Sequence, residues 1–264
     1  MKIYLHQTRI YENPETNFKN LYDIFENNLH VNIIICPEVF TSGFKFKNLD
    51  EIVIANTEYL RKIQLICQST KTAFLGTFFW REGRHTYNRA FFIDDEGNFL
   101  AIYDKQHLIP AFQEEKYLTP GRKNAVFTYK GMRIGLAICY DLRFPELFRK
   151  YAAVEVDLIL LTAQWPQERI DHLISLSKAR AIENQCYFVV VNATGQVGNT
   201  VMGGHSMVIS PLGKTILDLG KTNKGNECQI HLSEVLKWRA EFPVLYQYSR
   251  PLLFNRKIFR WLNK

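Results

Sequence analysis

Short apolar runs that stop abruptly at polar or charged residues constrain this chain more than any other feature of its sequence. Ile33-Ile34-Ile35-Cys36 ends in Pro37-Glu38, Ala101-Ile102-Tyr103 ends in Asp104-Lys105, and Leu136-Ala137-Ile138-Cys139 turns polar at Tyr140-Asp141. Residues 31–36, 72–80, 157–163 and 187–192 form apolar stretches of strand length. Too short for membrane spans and lacking a helical period, such runs read as strands buried on both faces. Helical spacing appears between them, at 15–29 (Phe18, Leu21, Ile24, Phe25 and Leu29 on one face), 49–69, 145–152, 167–185 (Ile170, Leu173, Ile174 and Ala181 inward) and 233–241.

The remaining strands pair locally. An opening strand is predicted at 2–8, and 87–93 and 99–103 form a hairpin across Asp94-Asp95-Glu96-Gly97-Asn98. Residues 125–139 fold back at Lys130-Gly131, 205–217 form a further hairpin, and 227–232 a last strand. Each half is a strand-helix-strand unit followed by paired strands, with no Pro/Gly/Ser linker between the halves. That pattern predicts an α/β fold in one domain over 1–248, a four-layer α-β-β-α sandwich of two mixed sheets flanked by helices, and then a tail at 249–264. Residues 105–121 have no clean period, and a loop of that length inside a compact domain is usually functional.

Bulk properties exclude several classes. The N-terminus turns polar too early for a signal peptide, and no stretch reaches the roughly 18 apolar residues of a membrane span, so a cytoplasmic protein is expected. Five scattered cysteines without a CxxC pair suggest neither a disulfide framework nor a zinc site. The net charge of +7 invites a nucleic-acid reading. However, residues 249–264 hold five of the 33 Lys and Arg and none of the 26 Asp and Glu, leaving only +2 elsewhere. A basic, aromatic tail that carries most of the charge argues for docking on protein rather than for a nucleic-acid surface.

The chemistry lies at the strand ends. A thiol at the carboxyl end of a strand can face a crevice, but it needs a base to ionise near neutral pH, and an oxyanion formed by its attack needs donors. Glu38 could supply the base and Lys105 a donor, although a lone Glu or Lys after a strand is usually an ordinary solvated loop residue.

Together, Pro37-Glu38-Val39-Phe40-Thr41-Ser42-Gly43-Phe44, Tyr103-Asp104-Lys105-Gln106-His107-Leu108 and Cys139-Tyr140-Asp141-Leu142-Arg143-Phe144-Pro145-Glu146 resemble the three signature segments of the nitrilase superfamily of carbon-nitrogen hydrolases, in the same order and over nearly the whole chain. The resemblance implies a triad of Glu38 as general base, Lys105 as oxyanion stabiliser and Cys139 as nucleophile, with the Tyr140 N–H as a second donor. Phe112-Gln113-Glu114-Glu115 before Pro120-Gly121 is similar to a segment that carries a further glutamate, matched here to Glu114. Cys139-Tyr140-Asp141 in place of a Cys-Trp-Glu run is similar to the amidase branches. Trp165-Pro166 and residues 179–185 are most similar to bacterial omega-amidases, with deaminated glutathione and N-carbamoyl amino acid hydrolases as neighbouring branches. The implied partner is a small-molecule amide, no metal or organic cofactor is implied, and a homodimer through the helices flanking the nucleophile is implied.

The pocket is less determined by sequence. Arg143 is a candidate for a substrate carboxylate or a partner of Asp141 or Glu146, and Trp165 a candidate pocket wall. His107 and His172 read as hydrogen-bonded structural residues, and Cys36 as packing.

Overall fold

Alternating apolar residues build two sheets in this computed structural model, which describes residues 1–27 and 30–245. The predicted tail at 249–264 and Leu29 lie outside the described residues. The first half runs β1 (Lys2–Leu5), α1 (Pro14–Glu26), β2 (Ile33–Ile35), α2 (Leu49–Thr70), β3 (Ala73–Glu82), β4 (His85–Ile93) and β5 (Phe99–Asp104). The second runs β6 (Val126–Tyr129), β7 (Met132–Ile138), α3 (Pro145–Ala153), β8 (Leu158–Ala163), α4 (Ile170–Asn184), β9 (Tyr187–Asn192), β10 (Thr194–Val197), β11 (Thr200–Gly203), β12 (Met207–Ile209), β13 (Thr215–Asp218), β14 (Asn226–Gln229) and α5 (Leu232–Glu241).

Each large sheet has six strands, in the orders β14-β1-β2-β3-β4-β5 and β13-β12-β9-β8-β7-β6. Both are mixed, with three parallel strands at the centre (β1-β2-β3 and β7-β8-β9) and antiparallel strands on either side. The strand period of two decides the layers. Ile3, Leu5, Ile33, Ile35, Leu75 and Phe92 point from the first sheet into a core shared with the second. Tyr4, Ile34, Cys36 and Phe74 point the other way, onto Phe18, Leu21, Tyr59 and Ile63 of α1 and α2. Helices α3 and α4 contact each other, and α4 covers the second sheet at β9. The α-β-β-α sandwich expected from sequence is the observed one.

Three details differ from the sequence reading. The strand predicted at 227–232 is shorter, Asn226–Gln229, because α5 already begins at Leu232. Its core, β14, crosses to pair with β1, Ile3 opposite Cys228, and closes the first sheet. The ribbon β10–β11 is absent from the sequence reading, its strands being short and interrupted by glycine. On α4 the buried stripe is Leu173, Ser177, Arg180, Ala181 and Asn184, with Ile170 and Ile174 only partly covered. Two of the polar residues in that stripe are tied down: Arg180 donates to the Leu142 carbonyl (2.9 Å) and to Glu183 (2.9 Å) and lies over the Phe148 ring, and Asn184 Nδ2 donates to the Arg180 carbonyl (2.7 Å).

Candidate active site

β5 runs in the same direction as β2, because two antiparallel steps separate it from β3, which is parallel to β2. Their carboxyl ends therefore emerge at one edge, where the carboxyl end of β7 approaches from the other sheet. Glu38 follows β2, Lys105 follows β5, and Cys139 follows β7. Glu114 enters from the 105–121 loop on a short 3-10 turn, Glu114–Lys116. This loop returns against its own origin: the Gly121 N–H donates to the Lys105 carbonyl at 2.8 Å, and a Cβ at Gly121 would lie 2.2 Å from the Asp104 carbonyl oxygen. Only glycine fits there.

The side chains converge below the surface. Lys105 Nζ donates to Glu38 Oε1 and to Glu114 Oε1, each at 2.9 Å, and all three side chains are fully buried. Glu38 Oε1 also accepts from Asn88 Nδ2 at 2.7 Å, and Oε2 from the Gln164 backbone N–H at 3.1 Å. Gln164 returns a second bond, Nε2 to the Glu38 carbonyl, at 2.6 Å. Glu114 Oε2 accepts from the Ile109 N–H at 2.9 Å. One ammonium between two carboxylates, with amide donors on the remaining oxygens, is a cluster that can stay ionised when dry.

Cys139 sits at the rim of this cluster, buried, with its sulfur 3.9 Å from the Gln164 carbonyl oxygen. Its backbone is left-handed, φ 44°, as are those of Val39 beside Glu38 (37°) and Gln113 beside Glu114 (55°). Non-glycine residues in this region cost on the order of 1–3 kcal/mol each and collect at functional sites. Asp141 supports the turn after Cys139. Its Oδ2 accepts from Tyr103 Oη (2.7 Å) and the Ile138 N–H (3.0 Å), and its Oδ1 from the His107 N–H (3.0 Å), with His107 Nδ1 at 2.7 Å. His107 also stacks flat on Phe144.

Electrostatics follow from burial. Burial pushes the Cys139 thiol well above the ordinary range, the Glu38 carboxylate adds to this, and Lys105 opposes it. Burial works against the Lys105 ammonium, but the charges of Glu38 and Glu114 outweigh it and raise its pKa. Glu114 is raised by burial, against the pull of Lys105.

A small chamber above the sulfur is lined by Cys139, Tyr140, Arg143, Trp165, Gln164 and Ile109, among others. Thus the structure brings all seven candidate residues, Glu38, Lys105, Glu114, Cys139, Tyr140, Arg143 and Trp165, into one site. Arg143 pairs with neither Asp141 nor Glu146: Asp141 is occupied as above and Glu146 is exposed. The Arg143 guanidinium stacks over Trp165 at 4.7 Å, with His172 Nδ1 3.4 Å away. Trp165 is fixed by its N–H to Asn192 Oδ1 (2.6 Å) and by Nε1 to the Arg169 carbonyl (2.7 Å). Asn88, Gln164, Asp141 and Asn192 were not read from sequence as parts of a site. Their signal was faint, a polar residue within or just after an otherwise apolar strand. Among the described residues no cluster of His, Cys, Asp or Glu could hold a metal ion, and no helix is long and apolar enough to cross a membrane.

Paired sheets with buried carboxylates, an ammonium and a thiol at their common edge define a class. A model of the carbon-nitrogen hydrolase family matches residues 5–240, and the chain belongs to that family. It is 32 % identical over 248 residues to a 2-oxoglutaramate amidase of Bacillus subtilis, covering 92 % of this chain and 95 % of the relative. A Staphylococcus lugdunensis protein described as a hydrolase in the agr operon is 36 % identical over 224 residues, 82 % of this chain and 94 % of its own. A CN-hydrolase superfamily protein from Xanthomonas campestris, solved with an arsenic adduct in its active site, superposes with a TM-score of 0.88 at 29 % identity, over 94 % of this chain and 96 % of that one. The protein is an amidase-type hydrolase acting on carbon-nitrogen bonds, as the signature segments implied.

Proposed function

We propose that the protein is an omega-amidase that removes the terminal amide of 2-oxoglutaramate or 2-oxosuccinamate through a Cys139 thioester, releasing ammonia and a 2-oxo dicarboxylate. The observation that carries this reading is the buried Glu38–Lys105–Glu114 cluster against a strained strand-end cysteine. The similarity to a 2-oxoglutaramate amidase over nearly both whole chains supports the substrate.

The mechanism follows the charges. With the thiol pKa raised, Cys139 rests neutral, and its proton passes to Glu38 as sulfur attacks the amide carbon. Lys105 Nζ and the Tyr140 N–H, which lies in the first turn after Ile138 where helical donors lack an intrahelical acceptor, hold the oxyanion. Glu38 returns the proton to the leaving nitrogen and then takes one from the water that opens the thioester. Glu114 positions Lys105 and, by sharing its ammonium, keeps it charged. Arg143, held flat on Trp165, takes the substrate carboxylate in bidentate fashion. The protein works as a cytoplasmic homodimer through α3 and α4, which light scattering of the purified chain tests.

Ammonia release from 2-oxoglutaramate, deaminated glutathione and N-carbamoyl amino acids is the deciding assay. Turnover of the first is expected, and its absence would sink the omega-amidase reading. Cys139→Ala should abolish release while leaving far-UV circular dichroism unchanged.

A further inference from the structure

We infer that Asn88 is a positioning residue for the catalytic carboxylate: by saturating Glu38 Oε1 it leaves Oε2 as the oxygen that takes the thiol proton and passes it to the leaving nitrogen. The inference rests on the roles proposed for Cys139 and Glu38 and assigns them to single atoms.

Asn88 stands in β4, in the row of alternate residues that contains Ala90 and Phe92, both of which point into the core shared by the two sheets. It is buried, and its backbone carbonyl accepts the Lys105 N–H at 2.9 Å, so the strand pairing that delivers Lys105 also fixes Asn88. An apolar side chain would suit that row. The amide instead turns Nδ2 toward Glu38 Oε1 at 2.7 Å, and its Oδ1 is buried with no hydrogen-bond partner among the described residues. Because an ionised carboxylate oxygen only accepts, the amide must present its N–H to it, and this determines which way the amide faces. A buried amide that satisfies a catalytic oxygen while its own oxygen goes unpaired is placed for function and not for packing.

The two oxygens of Glu38 are thereby made unequal. An ionised carboxylate offers about four acceptor positions, two on each oxygen. Oε1 accepts from Lys105 Nζ at 2.9 Å and from Asn88, which fills it. Oε2 accepts the Gln164 backbone N–H at 3.1 Å and keeps one position open. Gln164 spans from that oxygen to the nucleophile, since its own carbonyl oxygen lies 3.9 Å from the Cys139 sulfur. In the reaction, the S–H bond breaks as Oε2–H forms and sulfur bonds to the amide carbon. The C–N bond then breaks, the nitrogen keeping the electron pair and taking the Oε2 proton to leave as ammonia. Water adds to the thioester carbon and gives a proton to Oε2, which returns it to sulfur as the S–C bond breaks.

The pH dependence of kcat/KM for 2-oxoglutaramate in Asn88→Ala and Asn88→Asp, each in the full chain, tests this role. The charged groups that face Glu38 are Lys105, Cys139 and, across the Lys105 ammonium, Glu114, and both variants keep all three. Without a donor from residue 88 the ionised carboxylate is less favoured and free to turn. Asn88→Ala should therefore lose about tenfold in kcat at neutral pH, and its activity relative to wild type should recover as pH rises. Asn88→Asp keeps the shape of the native side chain and preserves the test if Asn88→Ala does not fold. Its new carboxyl donates to Oε1 when protonated and repels Glu38 when ionised, so its activity relative to wild type should fall as pH rises. A ratio to wild type that does not change with pH in either variant overturns the inference, as does an Asn88→Ala kcat within about twofold of wild type. In a Cys139→Ala background, calorimetry should show that Asn88→Ala changes affinity for 2-oxoglutaramate less than about twofold, and a loss as large as that in kcat would make Asn88 a binding residue instead. Alkylation of Cys139 by iodoacetamide at neutral pH, followed by the mass of the modified chain, should also slow about tenfold in Asn88→Ala, and an unchanged rate would count against the role. That measurement needs no turnover, so absence of ammonia release from 2-oxoglutaramate counts against the omega-amidase reading alone.

Discussion

Cys139 and His6 show how burial sets the behaviour of single groups here. Cys139 is buried against a carboxylate, so its thiol is raised rather than lowered. A cysteine paired with a cationic base would instead be a resting thiolate. The rate of alkylation by iodoacetamide should therefore climb with pH through 7 to 9 without a plateau. A plateau below pH 7 would show a preformed thiolate. His6 is almost fully buried, and neither ring nitrogen has a hydrogen-bond partner among the described residues. Burial lowers its pKa from 6.5 to about 4. Between those values the unfolded chain binds a proton that the folded chain refuses, so the contribution is intact above pH 6.5, is lost as pH falls, and levels off below about 4. The loss is about 3 kcal/mol over that window. Urea titrations at pH 7 and 4.5 should show His6→Phe losing less stability on acidification than the wild type, and parallel losses would rule out this role. The triad residues were legible in sequence because each directly follows an apolar run, whereas His6 carries no sequence sign of its isolation.

At the scale of elements, the turn that follows β7 depends on Asp141, which accepts from Tyr103, Ile138 and His107. Asp141→Ala would strand these buried donors and should cost on the order of 3–5 kcal/mol, with a lower kcat because the Cys139 turn loosens. Denaturant midpoints and ammonia release measure both, and a variant as stable as wild type would contradict this account. Asp141 stands in a signature segment, yet its sequence suggested a pairing with Arg143 and not a carboxylate bridging β5, the 105–121 loop and β7. Strand period and turn residues locate elements well, since both act within a few residues of chain. The β10–β11 ribbon escaped because its strands are short and interrupted by glycine, and the polar stripe on α4 because Arg180 takes its partners from Leu142 and Phe148, distant in the chain.

For the molecule as a whole, the two sheets share one core and the site straddles them, so the fold should melt as a unit. Phe92 of the first sheet meets Phe127 and Tyr129 of the second at ring-centroid distances of 4.6 and 5.2 Å. Phe92→Ala should cost about 3–5 kcal/mol. Tryptophan fluorescence and far-UV circular dichroism should still report one coincident transition, and separated transitions would argue that the sheets unfold independently. The sequence by itself determined the buried strands, the α/β class, and the residue types that reach the ends of β2, β5 and β7. These follow from local patterns: hydrophobic period, turn chemistry and the order of the signature segments. Only the tertiary structure decided that β14 closes the first sheet, that Lys105 is shared between two buried carboxylates, and that Arg143 lies on Trp165 instead of pairing with an acid. Those outcomes depend on which distant segments exclude water from one another, and the energy of a buried charge is set by that exclusion and not by its neighbours in the chain.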